Sequence, residues 1–244
     1  TEMIAANALA IHLNVAQECL QPEGARSFKG FYKSLEKISL TLKVPILIKE
    51  VGSGISPKTA VKLKDYGVKA IDIGGKGGTS WPYIESLRSQ KKYIQNLGKS
   101  MRDWGIPTAY SLALIRKNLP DIDLVATGGI RDGLTIAKSC ALGAQMTGVA
   151  LPFMQAALES DEAPFELMKN LIHGLKTTMM ITGSQNIKDL AKSIQFGQPL
   201  EQDFYKLFHK QNLDEHHKIR NNITKDITPQ LNEDNLNNLK YKYT

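Results

Sequence analysis

Short apolar segments alternate with segments of helical spacing along the first 150 residues. The apolar segments predict five β-strands, at residues 9–14, 45–49, 70–73, 123–127 and 146–150. Helices are predicted between them, at residues 31–42, 56–66 and 133–142 and at either 94–104 or 109–119. This alternation indicates an α/β fold with a parallel sheet, and the periodicity alone fits a barrel and a doubly wound sheet equally well.

Glycine-rich segments follow three of the predicted strands, at residues 74–79, 127–133 and 148–152. Glycines let backbone amides approach a phosphate, and a following helix N-terminus favours the negative charge. Barrels commonly bind phosphate after their last two strands, which is where two of these segments lie. The first segment would let a flat ring rest near the backbone. The alternative, tight turns that bind no ligand, stays open at this point.

Lys49 ends an otherwise apolar predicted strand. In a barrel the carboxyl ends of the strands build the active site, so this lysine would lie in the barrel mouth. There it could stabilise negative charge on the N1–C2 carbonyl region of a flavin. The simpler alternative is a surface ion pair with the neighbouring Glu50.

A second polar group follows the first predicted strand. His12 and Asn14 lie on one side of the strand end by its period of two, and Gln17 and Glu18 follow in a loop or first helical turn. A carboxylate with neighbouring amides suits a Mg²⁺ ion that also binds diphosphate oxygens. Each of these four residues taken singly favours a structural role, and their grouping favours a site.

Composition narrows the choice of function. The chain has 244 residues and 42% hydrophobic content, without an apolar run long enough for a membrane span. Its net charge of +7 comes from scattered Lys and Arg residues without a recognised nucleic-acid motif, so we expect no nucleic-acid partner. Cys19 and Cys140 match no metal-ligand spacing and no disulfide framework, which suggests the reducing cytoplasm.

Composition also divides the chain. Residues 1–195 carry all the predicted strands and motifs, whereas residues 196–244 form a polar C-terminal extension. Within it, residues 211–244 are rich in Asn, Lys and Asp and are typical of a helical appendage or a disordered tail.

Four motifs in this order closely resemble type 2 isopentenyl-diphosphate isomerase, an FMN-dependent (β/α)₈ TIM-barrel family. They are HLNVAQE at residues 12–18, IKEVG at 48–52, IDIGGKGGTSW at 71–81 and ATGGIR at 126–131. The resemblance covers about residues 5–195, and the first and third motifs are the specific ones, because the fourth also occurs in other FMN barrels. It implies that this chain carries the last five strands of such a barrel.

The resemblance also implies residue roles. Gln17 would contact the substrate where a proton is gained or lost, Glu18 would bind Mg²⁺, and His12 and Asn14 would line the diphosphate site. The flavin contacts that it implies are Lys49 and Thr79 at the ring, and Gly129, Ile130, Arg131, Ala150 and Leu151 at the phosphate.

By the same resemblance the reaction is the interconversion of isopentenyl and dimethylallyl diphosphate in isoprenoid biosynthesis. Reduced FMN takes part, NAD(P)H supplies the reduction, and we expect a homo-oligomer. The absence of a Ser–His–Asp, Cys–His or paired-carboxylate set suits a reaction in which the cofactor does the difficult chemistry.

Two other functions stay open. One is an FMN-dependent 2-hydroxy-acid oxidase or dehydrogenase, which would need a His base and arginines where residues 77–81 read GGTSW. The other is a non-catalytic flavin-binding fragment, because family members carry roughly three more strands before the strand that contains His12. An inosinate-dehydrogenase-like function would need a nucleophilic Cys on a loop, whereas Cys140 is predicted to lie in a helix.

Overall fold

The computed structural model describes residues 4–193, and its centre is one parallel β-sheet. The strands stand in chain order across it. They are β1 (Leu9–His12), β2 (Ile46–Lys49), β3 (Ala70–Asp72), β4 (Asp123–Ala126) and β5 (Met146–Thr147). All five predicted strands are confirmed, and each is parallel to its neighbour. Parallel neighbours in chain order, joined by helices, are the arrangement of a (β/α) barrel wall.

The two faces of the sheet differ in composition. Ile48, Ile71 and Leu124 are fully buried against the helices, in one core that also contains residues from α2, α3 and α6. The opposite face carries polar groups at the strand ends, because His12 is in register with Lys49, and Lys49 with Asp72. Side chains of paired residues in neighbouring parallel strands point to the same face. Three titratable side chains therefore stand in one row.

The helices follow the strands with short connections. They are α1 (Val15–Leu20), α2 (Phe31–Thr41), α3 (Pro57–Asp65), α4 (Trp81–Arg88), α5 (Lys92–Ser100), α6 (Thr108–Asn118), α7 (Gly133–Ala141), α8 (Leu151–Glu159) and α9 (Ala163–Ile181). A 3₁₀ helix, Ile187–Lys192, ends the described part. Side-chain caps fix several starts: Ser56 accepts from the Thr59 amide before α3, and Asp132 from the Thr135 amide before α7.

Several predicted boundaries were wrong. Three helices, α4 to α6, separate β3 from β4, where the sequence predicted one. Pro82 and Pro107 explain this: proline is tolerated in a first helical turn and interrupts a helix elsewhere, so each marks a new start. Strand β5 ends at Thr147, because Thr147 pairs with Ala126, the last residue of β4, and residues 148–150 have no ladder beyond it. Helices α8 and α9 were not predicted.

Cys140 lies in α7 and is buried, as the helical prediction required. It packs with Ala137 and Leu190 in a second, smaller apolar cluster. Among residues 4–193, no helix combines the length and the apolar character needed to cross a bilayer. The predicted extension at residues 196–244 lies outside the described residues.

Candidate flavin and diphosphate site

The first two glycine-rich segments pack against each other at the carboxyl edge of the sheet. Gly128 and Gly129 have positive φ angles of 98° and 84°, a region that favours glycine. A Cβ on Gly128 would lie 2.0 Å from the carbonyl oxygen of Gly75, and a Cβ on Gly129 would lie 2.6 Å from that of Gly77. Neither position has room for any other residue, so the two backbones meet in direct contact.

Side chains hold this contact and orient its carbonyl groups. Thr108, at the start of α6, donates its hydroxyl to the carbonyl of Gly128 at 2.6 Å. The guanidinium of Arg131 donates to the carbonyls of Gly129 and Gly77, each at 3.1 Å. The side chain of Arg131 thus ties the two segments together, which leaves its backbone amide as its contribution to a ligand.

Five of the amides that follow β4 and β5 have no acceptor in the part of the chain that the structure describes. They belong to Gly129, Ile130, Arg131, Ala150 and Leu151. Gly148 brings the two sets close: its amide donates to the carbonyl of Ala126 at 3.0 Å, and a Cβ on it would lie 2.6 Å from a methyl group of Thr127. Unpaired amides at neighbouring strand ends, beside the first turn of α8, form a cradle for a phosphate.

Lys49 lies at the end of β2 and pairs with a buried carboxylate on β3. Its Nζ is 2.7 Å from Oδ2 of Asp72, whose side chain is 9% exposed against 43% for Lys49. Thr127 donates its hydroxyl to the other Asp72 oxygen and accepts from the Gly74 amide at 3.1 Å. The alternative pair with Glu50 is therefore wrong, since Glu50 has other partners.

Glu50 is buried and organises the loop after β2. Its Oε2 accepts from the amides of Gly52, Ser53 and Gly54 at 2.8, 2.7 and 3.1 Å. Burial raises the pKa of this carboxyl, against the opposing effect of the amide hydrogen bonds. The loop also meets Thr79, because a Cβ on Gly52 would lie 2.7 Å from the Thr79 carbonyl oxygen. Thr79, in the loop after β3, thus lies against the loop that follows β2.

The polar group after β1 forms the start of α1. Asn14 is 2% exposed, and its Oδ1 accepts from the Gln17 amide at 2.8 Å as the helix N-cap. Its buried Nδ2 donates to no described residue, and the same holds for Oε1 of Gln17 as an acceptor. Nε2 of Gln17 donates to Oε1 of Glu85 at 3.0 Å. Buried polar atoms without partners indicate a ligand or water in that position.

Glu85 was missed in the sequence, because it lies in α4, 68 positions from Gln17, without a local motif. Its other oxygen accepts from Arg88 at 2.7 Å. His12, in contrast, is exposed on the row with Lys49. Of the predicted substrate residues, Asn14 and Gln17 are directly bonded to each other, and His12 lies two residues before them.

Glu18 is partly buried in the first turn of α1, and its Oε2 accepts from the Ala25 amide at 2.7 Å. Within residues 4–193, no cluster of three or more His, Cys, Asp or Glu side chains could hold a metal ion. Mg²⁺ in phosphate sites typically keeps water and takes one or two carboxylates plus ligand oxygens. A single carboxylate fits that mode of binding and does not fit an all-protein metal cage.

Unpaired amides after the last two strands, with a lysine at the end of another strand on the same sheet edge, are typical of flavin-binding barrels. The sequence model of the family described as FMN-dependent dehydrogenase matches residues 15–196. The chain therefore belongs to this family, and the (β/α)₈ barrel class predicted from the sequence is confirmed. The structure supplies five parallel strands of such a barrel.

Two curated relatives match most of this chain. An isopentenyl-diphosphate delta-isomerase from Nostoc sp. is 44% identical over 192 residues, which are 79% of this chain and 55% of the relative. The protein of the same name from Archaeoglobus fulgidus is 46% identical over 189 residues, which are 78% of this chain and 54% of the relative. The chain thus spans about half the length of the curated relatives that it matches.

Solved structures agree on the fold. A mandelate oxidase variant superimposes with a TM-score of 0.54 at 20% identity, over 78% of this chain and 55% of the oxidase. The GMP reductase from Trypanosoma brucei gives a TM-score of 0.54 at 17% identity, over 80% of this chain and 41% of the reductase. At such identities the likeness concerns the fold alone.

Proposed function

We propose that this chain forms the FMN-binding portion of an isomerase that interconverts isopentenyl and dimethylallyl diphosphate. The observation that carries this proposal is the set of unpaired amides after β4 and β5, on the same sheet edge as Lys49. The amide set suits a phosphate, and the lysine suits a flavin ring. Two relatives that are 44% and 46% identical to this chain are named for the isomerase reaction.

The flavin phosphate would accept hydrogen bonds from the backbone amides of Gly129, Ile130 and Arg131 and from those of Ala150 and Leu151. Lys49 and Thr79 would contact the ring. Contact between Gly129 and Gly77 supports this placement, because the missing side chains let both loops present their backbone. Bound reduced FMN would supply the electron-rich ring that such an isomerisation uses, with NAD(P)H as the source of reduction.

The substrate would lie beside α1. Asn14 offers the buried donor Nδ2, which could donate to a diphosphate oxygen, and Gln17 offers the buried acceptor Oε1, which could accept from a hydrogen-bond donor. We assign Gln17 the catalytic position, since its amide is fixed by Glu85 on one side and unpartnered on the other. His12 would contact the diphosphate, and Glu18 would bind Mg²⁺ shared with that diphosphate.

The remaining features belong to the same proposal. We expect the protein to act in the cytoplasm as a homo-oligomer on a small diphosphate substrate, without a nucleic-acid partner. Two members of the strand-end row, His12 and Lys49, are able to face an anionic ligand, whereas the carboxylate of Asp72 is already paired with Lys49. Such an arrangement favours a small anionic ligand at the strand ends over an extended polymer.

The test is a turnover assay with a matched pair of variants. The purified protein is loaded with FMN, reduced with NADPH in the presence of Mg²⁺, and supplied with isopentenyl diphosphate. We expect dimethylallyl diphosphate to form, and Gln17→Ala to lower the rate about 100-fold with FMN still bound. Gln155→Ala, at an exposed position of α8, should retain the activity.

Each alternative function gives a different result in the same experiment. Oxygen consumption with a 2-hydroxy acid, without isomerisation, would identify an oxidase. Flavin absorbance with neither activity would identify a non-catalytic flavin-binding fragment. A protein that takes up no FMN would refute the proposed site itself.

A further inference from the structure

The carboxylate of Asp72 stands between the candidate flavin lysine and the phosphate cradle. We propose that Asp72, anchored by Thr127, is a positioning residue that fixes Lys49 and offsets part of its charge toward the flavin. This inference rests on the proposed flavin site. It assigns a role to a residue that makes none of the predicted ligand contacts.

Both oxygens of Asp72 are engaged by different strands. Oδ2 binds the ammonium group of Lys49 on β2 at 2.7 Å, and Oδ1 accepts from the hydroxyl of Thr127 after β4. Because each oxygen has its own partner, rotation of the carboxylate would break both contacts. The position of the Lys49 ammonium group is therefore set by a group that is itself held in place.

Thr127 extends the connection to both glycine-rich segments. Its hydroxyl accepts from the amide of Gly74 at 3.1 Å, at the start of segment 74–79. It is also the first residue of segment 127–133, and its carbonyl accepts from the Gly75 amide at 2.9 Å. One network thus joins the lysine, the carboxylate and the two loops that meet at Gly129.

A purely structural role would not require a charge at this position. Burial of the Asp72 carboxylate costs free energy because its charge is taken out of water, and an apolar residue of similar volume would avoid that cost. Ile48 on β2 and Ile71 on β3, the residues next to Lys49 and Asp72, are apolar and fully buried on the opposite face. The exposed fractions of 9% for Asp72 and 43% for Lys49 leave the lysine as the partner that can reach a ligand.

The charge has a direct consequence for a bound flavin. Reduction makes the ring more negative, so positive charge beside it favours the reduced form. In the pair, the negative charge of Asp72 offsets part of the field of Lys49. Removal of that charge should leave the lysine positive and uncompensated.

The experiment measures the midpoint potential of bound FMN by spectroscopic redox titration of the purified, flavin-loaded protein. Asp72→Asn keeps the shape and removes the charge, so we expect a positive shift of the potential. Lys49→Met should shift it negatively, and the effect of Asp72→Asn should fall by roughly half or more in the Lys49→Met background. Asp123→Asn, on an exposed residue at the opposite end of β4, is the matched control and should leave the potential unchanged.

A second pair of variants covers the case in which Asp72→Asn fails to fold. Thr127→Val removes the hydroxyl that anchors Asp72 and should weaken FMN binding about tenfold, whereas Thr127→Ser restores the hydroxyl and should bind within about twofold of the parent. Equal FMN affinity in these two variants would overturn the inference.

The inference and the proposed function fail in distinguishable ways. If the parent protein binds no FMN, the proposed function is wrong. If the parent binds FMN but Asp72→Asn does not move its potential, the inference alone is overturned. The same conclusion follows if Asp72→Asn moves the potential equally with Lys49 and with Met at position 49, because Asp72 then acts independently of the lysine.

Discussion

Gly129→Ala is expected to push the loop after β4, which supplies three amides of the phosphate cradle, away from the loop that contains Gly77. The residue has a φ of 84°, and a Cβ there would stand 2.6 Å from the Gly77 carbonyl oxygen. An ordinary contact begins at 3.4 Å, so the loops would have to part by the remaining 0.8 Å. That displacement acts on the carbonyl that accepts from Arg131 at 3.1 Å. The substitution therefore displaces the backbone amides of residues 129–131 and disturbs the Arg131 side chain, which hydrogen-bonds both loops.

Two energetic effects add at this position. A non-glycine residue in the left-handed region costs about 1–2 kcal/mol. The overlap with backbone atoms adds to this, because backbone cannot turn aside as a flexible side chain can. If the loop relaxes in the free protein and must return to bind FMN, the strain alone weakens binding by about 5- to 30-fold. With the overlap, we expect a loss of about 100-fold or more.

Gly30→Ala provides a matched control. Gly30 has a φ of 85°, almost the same as that of Gly129, and nothing lies within 4 Å of a Cβ built there. It stands at the start of α2, on a different connection. Backbone strain should lower the free energy of unfolding of this variant, and the variant should bind FMN as tightly as the parent. The comparison separates the strain from the contact with Gly77.

The measurements are the quenching of FMN fluorescence on binding and urea denaturation of the flavin-free protein. The reasoning predicts a loss of unfolding free energy from strain in Gly30→Ala, a smaller loss in Gly129→Ala because its loop relaxes without FMN, and weak FMN binding in Gly129→Ala alone. FMN affinity within twofold of the parent in a folded Gly129→Ala protein would refute the phosphate site. Equal loss of affinity in Gly30→Ala would show that strain anywhere in the fold suffices.

Three further predictions concern other parts of the chain. Glu18→Gln should leave FMN bound and raise the Mg²⁺ concentration needed for half-maximal turnover about tenfold or more. Normal activity of this variant at limiting Mg²⁺ would contradict the role of Glu18 in metal binding. Exposed Cys19 should react with a thiol reagent at pH 8 in the native protein, whereas Cys140 should react only after denaturation. Burial raises the pKa of the Cys140 thiol, which lowers the fraction of reactive thiolate, and it also keeps the reagent away from the sulfur. Rapid modification of both cysteines in the native protein would contradict this. Deletion from Gln211 onward should preserve flavin binding and turnover, because that segment contains none of the matched motifs; loss of FMN from the folded truncated protein would place the tail in the site.

The sequence predicted the strands well because the pattern that marks a strand lies within a few neighbouring residues. Each strand is a short apolar run bounded by polar or glycine residues. The prediction was less successful between β3 and β4. Helices α5 and α6 both lie there, whereas the sequence offered residues 94–104 and 109–119 as alternatives, and α4 begins directly after the glycine-rich segment at residues 74–79.

Partners distant in the chain could not be predicted in the same way. Asp72 and Thr127 are 55 positions apart, and Gln17 and Glu85 are 68 apart. Nothing in either local segment indicates the other, because each contact depends on neighbouring strands and helices being assembled. The alternative ion pair of Lys49 with Glu50 was wrong for this reason: adjacent residues in a strand point to opposite faces, whereas Asp72 is in register on the next strand.

Backbone amides and side chains have different proposed roles at this edge of the sheet. The loops after β4 and β5 leave five amides without an acceptor among the described residues. Two buried carboxylates fix other parts of this edge: Glu50 binds three amides of the loop after β2, and Asp72 binds Lys49 and Thr127. A glycine substitution should therefore act on how tightly FMN binds, whereas removal of the Asp72 charge should act on the potential of FMN that is already bound. A site in which both kinds of variant changed only affinity would lack this division, and Lys49 and Asp72 would then serve the fold rather than the flavin.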